Sequence, residues 1–366
     1  MDDSVILEEI KPRDVAAFED LWKGEWRHDE RHQDLLAPLH TWELKVVTVL
    51  HVIRRRQLTE YNSKKYRSRP TRFCDLNVAF FDHDKESEVV HGPLFREVCP
   101  SQYCQLDGSI NIISIKVAES DMRYPIKIYG TVLARDQNDY RCVYLFKRER
   151  DDPQLITTRN PMLPLTGPYR ALGGRSHMYF EFHLKIKAEG AVDEDFSKGY
   201  SYRDVVCDTR GTPNTSSFEN CLSRMELLYV PVSSALEASV GVNFLSGKSC
   251  FTGKISASTS RNDMNKVVLY DSKVRGTETK LGSGGSVPLT RHTVAVPLGE
   301  DLVLYAFVRG VNGDKPWRLK FVVGHDVEER TCRRDNYELQ VKIIWKAVFR
   351  QDLDVWKEIE GVRVLW

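Results

Sequence analysis

The sequence lacks the long apolar segments of membrane proteins and the large positive charge of many nucleic-acid-binding proteins. No stretch approaches the ~20 apolar residues that a transmembrane helix needs, and the formal net charge is only +1. The net charge of the whole chain therefore does not favour nucleic acid or a membrane surface as a partner. The chain opens with Met1 and three acidic or polar residues, and no apolar segment as long as the core of a signal peptide follows. We therefore expect no secretory signal and a cytoplasmic location, with the nucleus as the alternative.

The sequence also lacks the usual marks of catalysis and metal binding. Its eight cysteines are scattered over 366 residues without C-x-x-C pairs, so we expect neither a disulfide framework nor a zinc site. It contains no Gly-x-Ser-x-Gly nucleophile elbow, and the glycine-rich loop at 282–286 lacks the Lys-Ser/Thr of a phosphate loop. We therefore predict no catalytic residues, no cofactor and no metal, and a protein that is not an enzyme.

One pattern, however, occurs twice in the same order. Leu145 and Leu269 are 124 residues apart, as are Thr166 and Thr290, while Gly130 and Gly253 are 123 apart. A single short insertion accounts for the difference. Such self-similarity indicates repeated structure, and this unit is too long for a solenoid. We interpret it as a duplicated, domain-sized lobe.

The periodicity within each copy is that of strands. Phe180, Phe182 and Leu184 alternate with Glu181 and His183, which is typical of a half-buried antiparallel strand. We predict a mainly β fold, in which an N-terminal helical segment precedes two tandem, internally duplicated, antiparallel β-sandwich-like lobes. The predicted divisions are a helical and basic segment at 1–72, a first lobe at 73–190, a connector at 191–220, a second lobe at 221–350 and a tail at 351–366.

The N-terminal segment offers a candidate contact surface. Apolar residues follow heptad spacing on a predicted helix at Leu39, Trp42, Val46, Val49 and Ile53. This face would bind a protein partner, self-associate through 39–53, or pack on the chain's own lobes. The three residues that follow, Arg54, Arg55 and Arg56, begin a basic stretch at 54–72. Such a stretch suits an acidic protein, nucleic acid or anionic lipid, and equally a solvated helix end.

Three acids near the strands of the first copy form the second candidate group. They are Asp136, Asp139 and Asp151. Loop carboxylates at one end of a sandwich can bind calcium, and paired carboxylates can perform acid–base catalysis if they meet in a cleft. Acidic residues are also common in ordinary turns, so a purely structural role for these three acids stays open as well.

A set of motifs distributed over both copies resembles a known family. They lie at 129–136, 139–141, 144–146, 150–152, 165–168, 180–182, 268–272 and 289–291, and they continue to Cys332 and the final strand. Together they are similar to the plant domain-of-unknown-function family 6598, which is expanded in grasses. The resemblance covers about 76–350. It departs from the family pattern at Cys142, Val143 and Tyr169.

The resemblance has implications for function but not for catalytic residues. Members of the family also occur fused to ribosome-inactivating domains in jasmonate-induced cereal proteins, which implies a role in stress or defence. No catalytic residues are established for the family. We therefore expect a non-enzymatic module that binds a protein partner through the N-terminal helix and the lobe surfaces. The alternatives are a lectin-like or calcium- or lipid-binding β-sandwich, and a hydrolase that uses the loop acids.

Overall fold

A computed structural model describes residues 42–62, 66–74, 76, 81–174, 177–188, 192–204, 211–220, 222–245, 248–309, 317–324, 327–334 and 337–349. Strands far outnumber helices among the described residues, which confirms the predicted mainly β fold. The described residues fall into two compact units. One holds 42–61, 68–74, 76 and 81–83, and the other holds 62, 66–67 and 84–349.

The first unit contains the predicted helix and most of a short two-stranded sheet. Helix α1 spans Trp42–Gln57, and strands β1 (Thr59–Asn62) and β2 (Arg67–Pro70) form a two-stranded sheet. The Thr59 hydroxyl donates to the Arg55 carbonyl at 2.8 Å, which satisfies one of the carbonyls left open at a helix end. Residues 1–41 of the predicted helical and basic segment lie outside the described residues.

The first β-sandwich is built from two antiparallel sheets. One has the order β10-β9-β4-β5, with β6 beside β4, and the other has the order β11-β12-β3-β7, with β8 beside β3. The strands are β3 (Ser109–Ser120), β4 (Ile126–Arg135), β5 (Val143–Arg148), β6 (Gln154–Ile156), β7 (Met162–Leu163), β8 (Leu172–Gly173), β9 (His177–Ile186), β10 (Glu194–Asp204), β11 (Asn214–Glu219) and β12 (Ser223–Val232). Their inward residues form one apolar core, in which the rings of Phe182 and Phe218 stack 4.7 Å apart.

The second β-sandwich also consists of two antiparallel sheets. Their orders are β16-β13-β20-β19 and β15-β14-β17-β18. The strands are β13 (Ala235–Phe244), β14 (Gly253–Thr259), β15 (Val267–Asp271), β16 (Thr293–Pro297), β17 (Leu302–Val308), β18 (Trp317–Phe321), β19 (Val327–Arg334) and β20 (Tyr337–Ala347). Alternate residues of β20 from Leu339 to Ala347 are buried in a second core, as their period-two spacing predicts.

The sheet orders confirm the duplication. The order β10-β9-β4-β5 recurs as β18-β17-β14-β15, and β11-β12-β3 recurs as β19-β20-β13. The repeated Leu-Thr motif has the same hydrogen bonds in both copies. The amides of Thr166 and the next residue donate to the Leu145 carbonyl, and those of Thr290 and the next residue donate to the Leu269 carbonyl. The motif therefore recurs because it performs the same structural task in each sandwich.

The predicted connector at 191–220 differs from the structure. It contains β10 and β11. Strand β12 lies within the predicted second lobe, but it pairs with β3 of the first sandwich. The two strands appear polar in sequence because they lie at the ends of their sheets. In β11 only Ser216 and Phe218 are buried. An edge strand with one sparsely apolar face resembles a loop in composition.

Buried polar contacts join the two sandwiches. The Asn111 side chain donates to the Ala295 carbonyl at 2.7 Å and accepts from its amide at 2.9 Å. The Ala171 amide donates to Glu237 Oε2 at 2.7 Å. A small apolar cluster of Ala171, Val232, Ala235, Ala295 and Val348 fills the same seam. Paired polar groups in such a place fix one relative arrangement, because any other would leave them unsatisfied.

Candidate functional site

The candidate contact face of α1 is partly covered within the chain itself. Val49 is buried, Val46 and Ile53 are half-buried, and the Trp42 side chain lies outside the described residues, as does Leu39. The neighbouring His51 is also buried, and burial followed by the Arg55 charge lowers its pKa to about 4. These positions favour intramolecular packing of the apolar face.

The basic end of the helix differs from its apolar face. Arg54 and Arg56 are exposed and Arg55 is half-buried, all within the last turn of the helix. Cations there are favoured by the partial negative charge of the helix C-terminus. Arg54 also donates to the Gln57 side chain at 3.3 Å. Arg54 and Arg56 are thus open to solvent, whereas Val49 is not.

The structure brings two of the three candidate acids together and leaves out the third. Asp136 and Asp139 follow the end of β4, and their side chains are only 0% and 3% exposed. The Asp151 side chain is 97% exposed, and Lys187 Nζ lies 4.0 Å from its Oδ1. The three carboxylates therefore do not form one cleft.

A single arginine, Arg170, neutralises Asp136. Arg170 Nη1 lies 2.5 Å from Asp136 Oδ2, and Nη2 lies 3.0 Å from Asp136 Oδ1. The Gly173 amide also donates to Asp136 at 2.8 Å. Such a bidentate pair is strong and has a fixed geometry. Burial alone raises the pKa of Asp136, but the charge and hydrogen bonds of Arg170 exceed that effect and leave the pKa below its usual range.

The pKa of Asp139 shifts in the opposite direction from that of Asp136. Burial, and then the negative charge of Asp136, raise the pKa of Asp139. Its nearest Arg170 nitrogen is 3.9 Å away, too far for a hydrogen bond. Its ionised form is therefore under-stabilised in the folded protein.

We expect Asp139→Asn to raise the melting temperature at neutral pH. A raised folded pKa means that ionised Asp139 reduces stability above that pKa, and that the penalty disappears as pH falls below the unfolded value. The asparagine carbonyl can still accept the Arg141 amide that Asp139 binds at 3.0 Å. Thermal unfolding between neutral and acidic pH should show the two curves converging as pH falls. A variant less stable than the wild type at neutral pH would contradict this assignment.

The residues around the acids were not apparent from the sequence. Ser87 Oγ lies 2.9 Å from Arg170 Nη2, and buried His91 bonds the Ala171 carbonyl through Nε2 at 2.7 Å. Burial, followed by the Arg170 charge, lowers the pKa of His91, so the imidazole is neutral and donates there. Together with Glu237, these groups form a closed network that faces protein, not solvent. Its buried hydrogen bonds therefore stabilise the contact between the two sandwiches.

Two cavities offer space for a ligand. One of about 250 Å³ lies between the sandwiches and is lined by Asn111 and Val230 of the first and by Thr259 and Asn262 of the second. The other, of about 300 Å³, lies on the β15-β14-β17 sheet of the second sandwich. In the described part of the chain, no three His, Cys, Asp or Glu side chains are grouped to hold a metal ion. Across the same ranges, no helix has the length and apolar character needed to cross a membrane.

Comparison with solved structures finds human GIVD cytosolic phospholipase A2, alone and in two complexes. Free, it matches at 8% identity and a TM-score of 0.20, over 65% of this chain and 32% of that one. The complex with methyl gamma-linolenyl fluorophosphonate matches at 8% sequence identity and a TM-score of 0.21. The match covers 65% of this chain and 32% of the phospholipase. The complex with that inhibitor and terbium chloride matches at 6% sequence identity and a TM-score of 0.22. The match covers 67% of this chain and 33% of the phospholipase. The matches thus span about a third of the phospholipase, and TM-scores of this size support no inference about activity.

A search of curated proteins finds no match. The family model described as "Domain of unknown function (DUF6598)" matches residues 109–343. That span begins with β3 and reaches into β20, so it covers both sandwiches and most of the chain. The chain is therefore a member of the DUF6598 family.

Proposed function

We propose that this protein is a non-enzymatic protein-interaction module, in which the joined sandwiches are a rigid support for contact surfaces. The observation that carries the proposal is the position of Asp136. A catalytic carboxylate must reach the group it protonates or attacks, whereas this one is fully buried and bound by Arg170 and Gly173. Ala171, next to Arg170, binds Glu237 of the second sandwich. The network thus contributes to a stable shape.

We assign the basic C-terminal end of α1 as the surface that contacts a partner protein. Arg54 and Arg56 are exposed, whereas Val49 is covered, so charge rather than the apolar face makes the first contact. The fitting partner is a protein with an acidic surface, and long-range attraction between such surfaces speeds encounter. The family resemblance implies plant stress or defence as the setting. We propose the cytosol as the location, with the nucleus as the alternative.

The test is affinity capture from plant tissue with the full chain and the double variant Arg54→Glu, Arg56→Glu, followed by mass spectrometry. We expect at least one protein that the wild type captures at low salt and releases at high salt, because exposed charges are screened by ions. The charge-reversed variant should fail to capture it while remaining folded. Its stability should fall by only about 1 kcal/mol, since acidic groups at a helix C-terminus are disfavoured.

The matched control is Arg261→Glu with Arg333→Glu, since both side chains are exposed on the second sandwich, at 80% and 77%. This variant carries the same change of charge elsewhere and should capture the partner normally. Equal loss in both variants, or equal capture by all three proteins, would overturn the proposed contact.

A further inference from the structure

The second sandwich carries a basic cavity on the outward face of one sheet. The cavity of about 300 Å³ is lined by Lys254, Lys266, Lys273 and Arg309, with Tyr305 and Phe307 beside them. The same lining holds a single acid, Asp271, whose Oδ2 lies 3.2 Å from Lys254 Nζ. Four cations thus face one carboxylate, and among the described residues no carboxylate lies within ion-pair distance of Lys266, Lys273 or Arg309.

The aromatic wall holds part of this charge in place. Lys266 Nζ lies 3.7 Å from the centroid of the Tyr305 ring, a cation–π contact. The Tyr305 hydroxyl donates to Asp263 and accepts from Arg318 Nε at 3.3 Å, so the ring itself is fixed. The ammonium group therefore lies over the neutral Tyr305 ring, and its charge also acts on Asp263 behind that ring. No ion-pair contact within 4.0 Å occupies its hydrogen-bond donors among the described residues, so they are available to a ligand.

The duplication provides an internal comparison. By the offsets of the repeat, the first sandwich has Thr131, Cys142, Glu149 and Lys185 where the second has the four cations. It also has Glu181 in place of Tyr305 and His183 in place of Phe307. The ladder supports this alignment, because Thr131 pairs with His183 as Lys254 pairs with Phe307. The first sandwich thus forms with a cation at only one of the four positions, Lys185, and without the aromatic rings, so folding alone does not explain Lys254, Lys266 and Lys273.

The geometry points to a multiply phosphorylated polyol as the ligand, such as an inositol or sugar phosphate, either free or as a lipid headgroup. Several cations around one small space match several anionic groups, and Arg and Lys are the usual phosphate-binding side chains. Ser256 and Ser272 in the lining can bond ring hydroxyls. The volume is at the lower end for ligand sites, and Lys266 already covers Tyr305, which leaves that ring closed to a nucleobase.

The first experiment is calorimetric titration of the full chain with inositol trisphosphate, ATP and sulfate. We expect binding of inositol trisphosphate, weaker binding of ATP and none of sulfate at equal concentration. The variant Lys254→Thr, Lys273→Glu gives the cavity two residues of the first sandwich, Thr131 and Glu149. We expect it to lower the affinity about tenfold or more, since a charged hydrogen bond is worth roughly one order of magnitude in binding.

The control variant is Lys280→Ala, Lys342→Ala, which removes two exposed cations of the same sandwich outside the cavity lining. It should bind as the wild type does. Vesicles of phosphatidylcholine with and without phosphatidylinositol bisphosphate separate the two sources. Binding to the soluble phosphate alone identifies a free ligand, and binding to the lipid-containing vesicles identifies a headgroup.

Three results would overturn the assignment: no binding of either form, equal binding of sulfate, or equal loss in the control variant. This site is independent of the protein contact at Arg54 and Arg56, so failure at either site leaves the other unaffected.

Discussion

Replacing Asp136 by alanine should lower the free energy of unfolding by about 3–5 kcal/mol, the usual cost of breaking a buried ion pair from one side. The loss arises because Arg170, itself buried, keeps its charge without its carboxylate. The Gly173 amide also loses its acceptor. Denaturant unfolding of the purified protein measures the change.

The matched control for this prediction is Asp151→Ala. The Asp151 side chain is almost fully exposed, and surface substitutions of this kind usually change stability by less than about 0.5 kcal/mol. The double variant Asp136→Ala, Arg170→Met should be less destabilised than the two single changes added together, because it removes both members of the pair. Equal effects of Asp136→Ala and Asp151→Ala would contradict a structural role for the network.

The dependence on pH gives an independent check. A lowered folded pKa means that Asp136 contributes stability above its unfolded pKa, and that this contribution is lost as pH falls through the folded value. The difference between wild type and Asp136→Ala should therefore persist at neutral pH and narrow only at strongly acidic pH. Were Asp136 a catalytic acid poised for proton transfer, its pKa would lie nearer the working pH.

The fold was largely predictable because it depends on short-range patterns. Period-two alternation in β9 and β20 shows in the sequence, since each strand buries one face. The duplication was visible at Leu145 and Leu269 because both copies need the same carbonyl in the same turn. Edge strands such as β10 and β11 were missed, since they bury few side chains.

The buried charges were not predictable, because their partners are distant in sequence. Arg170 lies 34 residues from Asp136, and Arg135 lies 46 residues from Glu181, with which it forms a buried ion pair. Charged residues are mostly exposed unless they are paired, so a sequence pattern assigns Glu181 to solvent by default. Only the sheet register brings these groups together.

The basic cavity was invisible for a related reason. Lys254 and Arg309 are 55 residues apart, and neither belongs to the basic stretch at 54–72. Their approach results from β14 pairing with β17, which places Lys254 opposite Phe307, close to Arg309. Charge clusters that a sheet assembles do not appear as runs in the chain.

The duplicated glycines should tolerate no side chain, and we expect Gly130→Ala and Gly253→Ala each to cost about 3 kcal/mol of folding stability. A Cβ atom at Gly130 would lie 2.1 Å from the His183 carbonyl oxygen, and one at Gly253 would lie 2.0 Å from that of Phe307. Backbone cannot move aside as a flexible side chain can, so the paired strands would have to separate. Gly130 also has a φ of +111°, which side-chain-bearing residues rarely adopt.

Gly241→Ala is the control for this pair, because the glycine lies inside β13 and a Cβ there would be 3.8 Å from the nearest atom, the Lys342 carbonyl oxygen. We expect that change to stabilise the protein by about 0.5 kcal/mol, since glycine loses more conformational freedom than alanine on folding. Denaturant unfolding of the three variants measures the contrast. Unchanged stability in either Gly130→Ala or Gly253→Ala would show that its strand does not approach its neighbour so closely. A loss in both, beside a gain at Gly241, would show that each copy depends on the same close approach of backbones.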